Sequence, residues 1–147
     1  MDGLPVGKDL GKHLFSGDSG NGSIMIVVAT DAPLDARQLK RVAKRAMLGV
    51  ARTGSPAPHG SGDYVIAFST AESVRSQFGS ATLSSRPFFP EDELTAVFEA
   101  TVEATEEAIY NSLLKATTTS GRDGRTVEAI PIHVVKDLIQ KYHYSPK

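Results

Sequence analysis

Cysteine is absent from the 147 residues. That excludes disulfides, thiol catalysis and cysteine-ligated zinc or iron–sulfur centres, and it leaves the redox compartment open. Any excess of charge is missing too. The chain carries 16 Lys and Arg against 17 Asp and Glu, so no long-range field draws it to nucleic acid or acidic lipid. It has no run of about 18 apolar residues to span a bilayer. Met1 to Phe15 lacks the continuous apolar centre of a signal peptide, which makes cytoplasmic the expected compartment. His13, His59, His133 and His143 show no ligand spacing with acids, so no metal is expected, and the expected cofactor set is empty. The remaining composition, 40% hydrophobic and 22% charged, is that of one soluble globular domain or part of one.

The stretch that organises the chain is Asn21 to Asp31. Ile24 to Ala29 is an unbroken apolar run rich in β-branched residues, the pattern of a strand covered on both faces. Gly17, Gly20 and Gly22 make the entering segment a flexible loop. Ser23 is thus the first residue of a rigid element reached by a loose one, a good station for a nucleophile. A turn serine before a strand fits the same local pattern.

Residues 1–22 hold six glycines and read as a leader with at most a helical turn around Asp9 to Phe15. After the strand, Asp31 is a candidate cap and Pro33 suits a first helical turn. Leu39, Val42, Ala43, Ala46, Met47 and Val50 then repeat at helical spacing up to Gly54. Arg37, Lys40, Arg41, Lys44, Arg45 and Arg52 fill the other positions, either as a solvated basic face or as a phosphate contact. Thr53 to Asp63 is a Gly/Pro/Ser loop before a second apolar run, Tyr64 to Phe68, and it gathers His59, Ser61 and Asp63 at another strand mouth. Those three could compose a Ser-His-Asp set, although neighbours on one turn rarely align in series. Residues 71–90, with Pro87, Phe88, Phe89 and Pro90, read as a connection.

A long helix is expected from Glu91, with Glu91, Asp92 and Glu93 at its positive end. Leu94, Val97, Phe98, Val102, Ile109 and Leu113 mark its apolar stripe. Glu99, Glu103, Glu106 and Glu107 form a solvated acidic face, lacking the histidine a metal set needs. Ser120 to Gly124 is a turn, Val127 to Ile130 a short strand, and Pro131 starts a last helix through Tyr142, followed by a frayed tail. The expected class is α/β, with too few strands for a full sheet. A further segment, another chain or an oligomer partner would supply the rest.

Several blocks resemble one family. They are Gly22-Ser23 with the following Ile-Met-Ile-Val-Val-Ala-Thr-Asp-Ala-Pro-Leu, Gln38 to Arg41, Ala51 to Ser55, Gly60 to Asp63, Ala67 to Thr70, Glu103 to Ile109 and Gly121 to Gly124. In this order, over most of residues 22–140, they resemble the self-processing serine aminopeptidases, which include L-aminopeptidase/D-amidase-esterases and β-peptidyl aminopeptidases. The resemblance implies a layered αββα sandwich similar to that of N-terminal-nucleophile hydrolases, of which this chain would be the C-terminal part. Residues 1–22 would be a leader, the tail of a large subunit, and 23–147 the small-subunit-like catalytic domain. It further implies self-cleavage between Gly22 and Ser23, with Ser23 as catalytic nucleophile, Ser61 beside it relaying a proton, and Asp63 orienting Ser61 or anchoring a substrate amine. The implied activity is release of N-terminal amino acids from small peptides, amides or esters. The implied partner is a large-subunit segment or a second copy, without which the chain is expected to be weakly active or inactive. The alternatives are a non-catalytic oligomerising or ligand-binding remnant of that fold, and an acyltransferase.

Overall fold

The computed structural model describes residues 1, 3–13, 22–76, 78, 79, 85 and 89–142. In chain order its elements are α1 (Val6–Asp9), β1 (Met25–Thr30), α2 (Ala36–Arg52), β2 (Tyr64–Ser69), α3 (Leu94–Leu114), β3 (Thr119–Ser120), β4 (Thr126–Val127) and α4 (Ile132–Lys141). Short 3-10 turns cover Glu72–Val74, Glu91–Glu93 and Arg122–Gly124. Contacts divide the chain into two compact units, one of residues 22–106 and the other of 1–21 with 107–147.

In the first unit β1 and β2 pair in parallel, in register from Met25 opposite Tyr64 to Thr30 opposite Ser69. Parallel strands need a crossover, and α2 supplies it. Asp35 caps that helix. Its carboxylate accepts the Gln38 N–H at 2.7 Å, and the Gln38 side chain accepts the Asp35 N–H at 3.2 Å, a reciprocal box that satisfies two orphan donors. The cap therefore falls at Asp35 rather than Asp31, because Asp35 has a glutamine three residues on and Asp31 does not.

Leu34, Val42 and Leu94 form the centre of the core, with Val28, Ala67, Val97 and Phe98 packed around them. Helices α2 and α3 meet at Gly49, where an added Cβ would lie 2.6 Å from the Val102 carbonyl oxygen and 2.7 Å from Thr105 Cβ. Facing that contact, Thr101 and Thr105 are buried. Their hydroxyls donate to the carbonyls of Val97 and Thr101, both at 2.7 Å, so neither is left unpaired.

The run Ile24 to Ala29 is covered on one face, not both. Along both strands exposure alternates residue by residue. Val28 and Ala67 turn to the core, whereas Met25 and Val27 stay more than 60% exposed beside Tyr64, Ile66 and Phe68. The residues are as apolar outward as inward, and what this unit packs is one layer of helices. Adjoining outward-facing side chains of this kind are more than the scattered apolar residues of an ordinary surface.

The long helix starts at Leu94, after a 3-10 turn that takes up the acids. Glu91 is not spent on the helix dipole. It receives Arg37 and Arg41 of α2 together with the amide of Gln38. The Arg37 bond, seconded by the Gln38 and Arg41 bonds, holds the Glu91 carboxyl below the usual glutamate range. Arg45 stacks over the Phe98 ring at 4.1 Å, and Arg52 meets Glu106 at 3.6 Å. The basic face of α2 is therefore largely matched within its own unit.

In the second unit β3 and β4 make a short antiparallel hairpin, so the strand expected over Val127 to Ile130 starts one residue earlier and ends at Val127. Helix α4 begins after Pro131, as its fixed φ favours, and ends at Lys141. Helix α1 precedes the turn expected at Asp9 to Phe15, of which residues 14 and 15 lie outside the described set. Val6 and Val135 are buried, and the Tyr142 hydroxyl donates to Asp9 at 2.9 Å, which raises its pKa. Pro87, Phe88 and the tail beyond Tyr142 also lie outside the described residues.

Candidate active site at the mouth of the parallel strand pair

The register of β1 and β2 sets residue i opposite residue i + 39. Continued three residues toward the N-terminal ends of the strands, it sets Ile24 opposite Asp63, Ser23 opposite Gly62, and Gly22 opposite Ser61. Each of these pairs is joined by a hydrogen bond that uses a side chain. The Ile24 N–H donates to Asp63 Oδ1 at 3.1 Å. The Gly62 N–H donates to Ser23 Oγ at 3.0 Å. Ser61 Oγ lies 2.5 Å from the Gly22 carbonyl oxygen and 2.6 Å from Asp63 Oδ1. The last backbone bond of the ladder is Tyr64 N–H to the Ile24 carbonyl at 3.0 Å. Beyond it the strands are tied through the side chains of Ser23, Ser61 and Asp63.

Ser61 has one proton and two acceptors in reach. It can donate to the Asp63 carboxylate or to the Gly22 carbonyl, but not to both at full strength. Asp63 Oδ1 accepts from both Ile24 and Ser61, which fixes the carboxylate from two sides. A turn closed by Ser61 N–H on the Pro58 carbonyl at 2.8 Å brings Ser61 back to the strand. His59 stands exposed in that turn, and the bonds joining Gly22, Ser23, Ser61 and Asp63 run without it. No Ser-His-Asp series forms.

The pleat decides where each group faces. Ser61 and Asp63 are half-buried, in phase with inward Val65, whereas Ser23 is exposed in phase with Met25 and Val27. The Ser23 hydroxyl opens on the uncovered apolar side of the sheet. A Cβ on Gly62 would meet Ser23 Oγ at 3.5 Å and Tyr64 Cε2 at 3.8 Å, which places Tyr64 on that same side. Gly62 is the residue that the sequence pattern undervalued. Its contribution is a backbone N–H, which residue type does not signal.

A model of peptidase family S58 matches residues 1–127. The chain belongs to peptidase family S58. Within this S58 chain's relatives, the β-peptidyl aminopeptidase BapA of Sphingosinicella microcystinivorans is 41% identical, over 95% of this chain and 39% of that protein. Two solved structures superpose with a TM-score of 0.82. The PH0078 protein of Pyrococcus horikoshii OT3 is 44% identical over 97% of this chain and 38% of its own. The L-aminopeptidase D-Ala-esterase/amidase of Ochrobactrum anthropi, described as a variant of the Ntn-hydrolase fold, is 34% identical over 97% of this chain and 39% of its own. The S58 chain therefore shares that α/β fold in part, and spans about two fifths of the length of the relatives it matches. Among the described residues no helix is long and apolar enough to cross a membrane.

Proposed function

We propose that this chain carries the nucleophile centre of a serine aminopeptidase or amidase that releases N-terminal amino acids from small peptides, amides or esters, and that it is activated by cleavage of its own Gly22-Ser23 bond. In this reading residues 1–22 are the leader and 23–147 the catalytic portion. One observation carries it: the Gly22 carbonyl, the Ser23 hydroxyl, Ser61 and Asp63 are assembled by three consecutive cross-strand hydrogen bonds and the bond from Ser61 to Asp63.

The first reaction is attack of Ser23 Oγ on the Gly22 carbonyl carbon. A C–O bond forms, the C–N bond breaks, and the hydroxyl proton passes to the departing Ser23 nitrogen. As negative charge grows on the Gly22 oxygen, the Ser61 hydroxyl at 2.5 Å donates to it, and a donor aimed at developing charge acts where it lowers the barrier. Water then hydrolyses the ester, leaving a Gly22 carboxylate and a free Ser23 amine. That amine, with a reference pKa near ~8, becomes the base for the adjacent hydroxyl. In turnover Ser23 attacks the substrate carbonyl, an acyl-enzyme forms, and water releases it. Asp63 orients Ser61 or supplies the negative charge that selects a substrate's free amine.

The open apolar side on which Ser23 lies supports a need for a partner. A covering layer from a large-subunit segment or from a second copy would wall the nucleophile and bury Met25, Val27 and Tyr64. The test is intact mass after incubation, alone and with the complementary segment of a longer relative added in trans. Loss of the leader with a new N-terminal Ser23, abolished by Ser23→Ala, is the expected result. Amide hydrolysis that survives Ser23→Ala in the cleaved or complemented protein overturns the reading. Added amine acceptors distinguish hydrolysis from acyl transfer by the products formed.

A further inference from the structure

We infer that the backbone N–H of Gly62 is a catalytic group of this site, a donor to Ser23 Oγ whose value is greatest when that oxygen leaves. The inference rests on Ser23 being the nucleophile. Its basis is the 3.0 Å bond from Gly62 N to Ser23 Oγ at the rung just beyond the ladder. The bond occupies one lone pair of Oγ and fixes the side-chain rotamer, leaving the other lone pair and the proton for attack and transfer. Before cleavage Ser23 is also held through its peptide bond to Gly22. After cleavage that restraint is gone, and the Gly62 N–H becomes the tie that keeps the hydroxyl of a new chain terminus in place.

The larger effect falls on ester hydrolysis. Water adds to the acyl carbon, the carbon–Oγ bond breaks, and the electron pair moves to Oγ before it regains a proton. Negative charge therefore develops on the atom Gly62 already faces. A neutral ester oxygen accepts weakly and an alkoxide strongly, so the N–H binds the transition state more tightly than the ground state, the condition for rate enhancement. A backbone donor also needs no reorientation, since Gly62 is fixed between Ser61 and the first residue pair of the sheet.

Glycine is not demanded here by space or by φ. A Cβ would meet Ser23 Oγ at 3.5 Å and Tyr64 Cε2 at 3.8 Å, ordinary contacts, on backbone outside the left-handed region. Gly62→Ala thus keeps the donor, and Gly62→Pro deletes it. Self-cleavage is followed by intact mass, with hydroxylamine added to trap ester that has the mass of uncut chain. Gly62→Pro is expected to cut about 30-fold more slowly than Gly62→Ala, with trapped ester accumulating, from the typical 100- to 1,000-fold worth of one such donor. Equal rates for the two variants overturn the inference.

A second measurement is independent of activity and of whether Gly62→Pro folds. In the ¹⁵N-labelled chain the Gly62 amide is expected to exchange slowly, and Ser23→Ala is expected to shift its resonance and speed its exchange at least tenfold. An amide indifferent to Ser23→Ala overturns the inference. A chain that never cuts, even when complemented, but whose Gly62 amide responds to Ser23→Ala counts against self-cleavage and leaves the bond to Gly62 established.

Discussion

Replacing Asp63 separates two roles that the geometry allows it, a base that takes the Ser23 proton through Ser61 or a fixed acceptor that holds Ser61 in place. One oxygen, Oδ1, accepts both the Ile24 N–H at 3.1 Å and Ser61 at 2.6 Å. In Asp63→Asn the side chain must present its carbonyl there, because the flipped amide would set N–H against N–H. Geometry is kept and charge is lost. A charge-assisted bond is worth ~1.5–3 kcal/mol and a neutral one ~0.5–1.5. The ionised carboxylate therefore outcompetes the Gly22 carbonyl for the Ser61 proton by about 1 kcal/mol, and Ser61 points at Gly22 in roughly one molecule in six. With two amide-type acceptors the share rises to about one half, so Asp63→Asn is expected to self-cleave about threefold faster than the parent. Asp63→Ala instead leaves the Ile24 N–H without its acceptor, and at this half-buried rung is expected to cost about 1–2 kcal/mol of stability. The assays are intact mass against time, with the complementary segment present if cutting requires it, and urea midpoints for both variants. Asp63→Asn cutting more than tenfold slower than the parent, with an unchanged midpoint, refutes the reasoning and makes the carboxylate the base.

Three further outcomes follow from the packing and charges. Gly49→Ala gains about 1 kcal/mol of helix propensity but drives a Cβ to 2.6 Å from the Val102 carbonyl oxygen, backbone that cannot move aside. A net loss of about 1–3 kcal/mol is expected from urea midpoints. Because Arg37, Gln38 and Arg41 hold the Glu91 carboxyl below its ordinary range, its contribution is complete above the unfolded-state pKa and is lost as pH falls through the lower folded value. Glu91→Gln is expected to flatten the acid limb of the stability profile, and an unchanged limb contradicts the assignment. On the open sheet face, Val27→Lys or Ile66→Lys is expected to reduce binding of a hydrophobic dye while shifting the unfolding midpoint by less than about 0.5 kcal/mol, as surface changes do. A loss of several kcal/mol means that the face is covered in solution.

Most of the elements of the first unit could be read from local pattern, and the misreadings have physical causes. The helix Ala36–Arg52 announced itself by spacing, but its cap required weighing Asp31 against Asp35, and the deciding residue was Gln38, three positions into the helix. The basic face looked unmatched because its acid, Glu91, lies about 50 residues away in sequence and docks only after folding. The apolar run Ile24 to Ala29 was read as covered on both faces. The outward side chains are indeed apolar, but this unit supplies cover for one side. That pattern therefore carries information about a layer beyond the described packing. Ser23, Ser61 and Asp63 were named from motif blocks, and the i + 39 register that joins them was invisible without the strand pairing. Gly62 fell between two named residues for the same reason, since a backbone N–H leaves no trace in residue type.

On the proposed reading, the placement of the Gly22-Ser23 bond also answers a problem that any self-cleaving chain must solve, which is to break its backbone without losing the fold that did the breaking. All six residue pairs of the parallel ladder, Met25–Tyr64 to Thr30–Ser69, lie downstream of that bond, as does the final backbone rung from Tyr64 to Ile24. Among the described residues, cutting disturbs the contact between Ser61 and the Gly22 carbonyl, an exposed bond worth on the order of 1 kcal/mol. Asp63 stays pinned by Ile24 and Ser23 stays pinned by Gly62, both through groups that cleavage does not touch. Ser61, relieved of one of its two acceptors, is then free to serve an incoming carbonyl in the position that Gly22 has left. A serine one residue further on, at position 24, would have its N–H committed to the Asp63 carboxylate, and freeing it would release that carboxylate. One residue earlier, it would lose the rung opposite Gly62. The register of the sheet thus puts the proposed nucleophile, Ser23, one rung beyond the backbone ladder, where it is still held by Gly62.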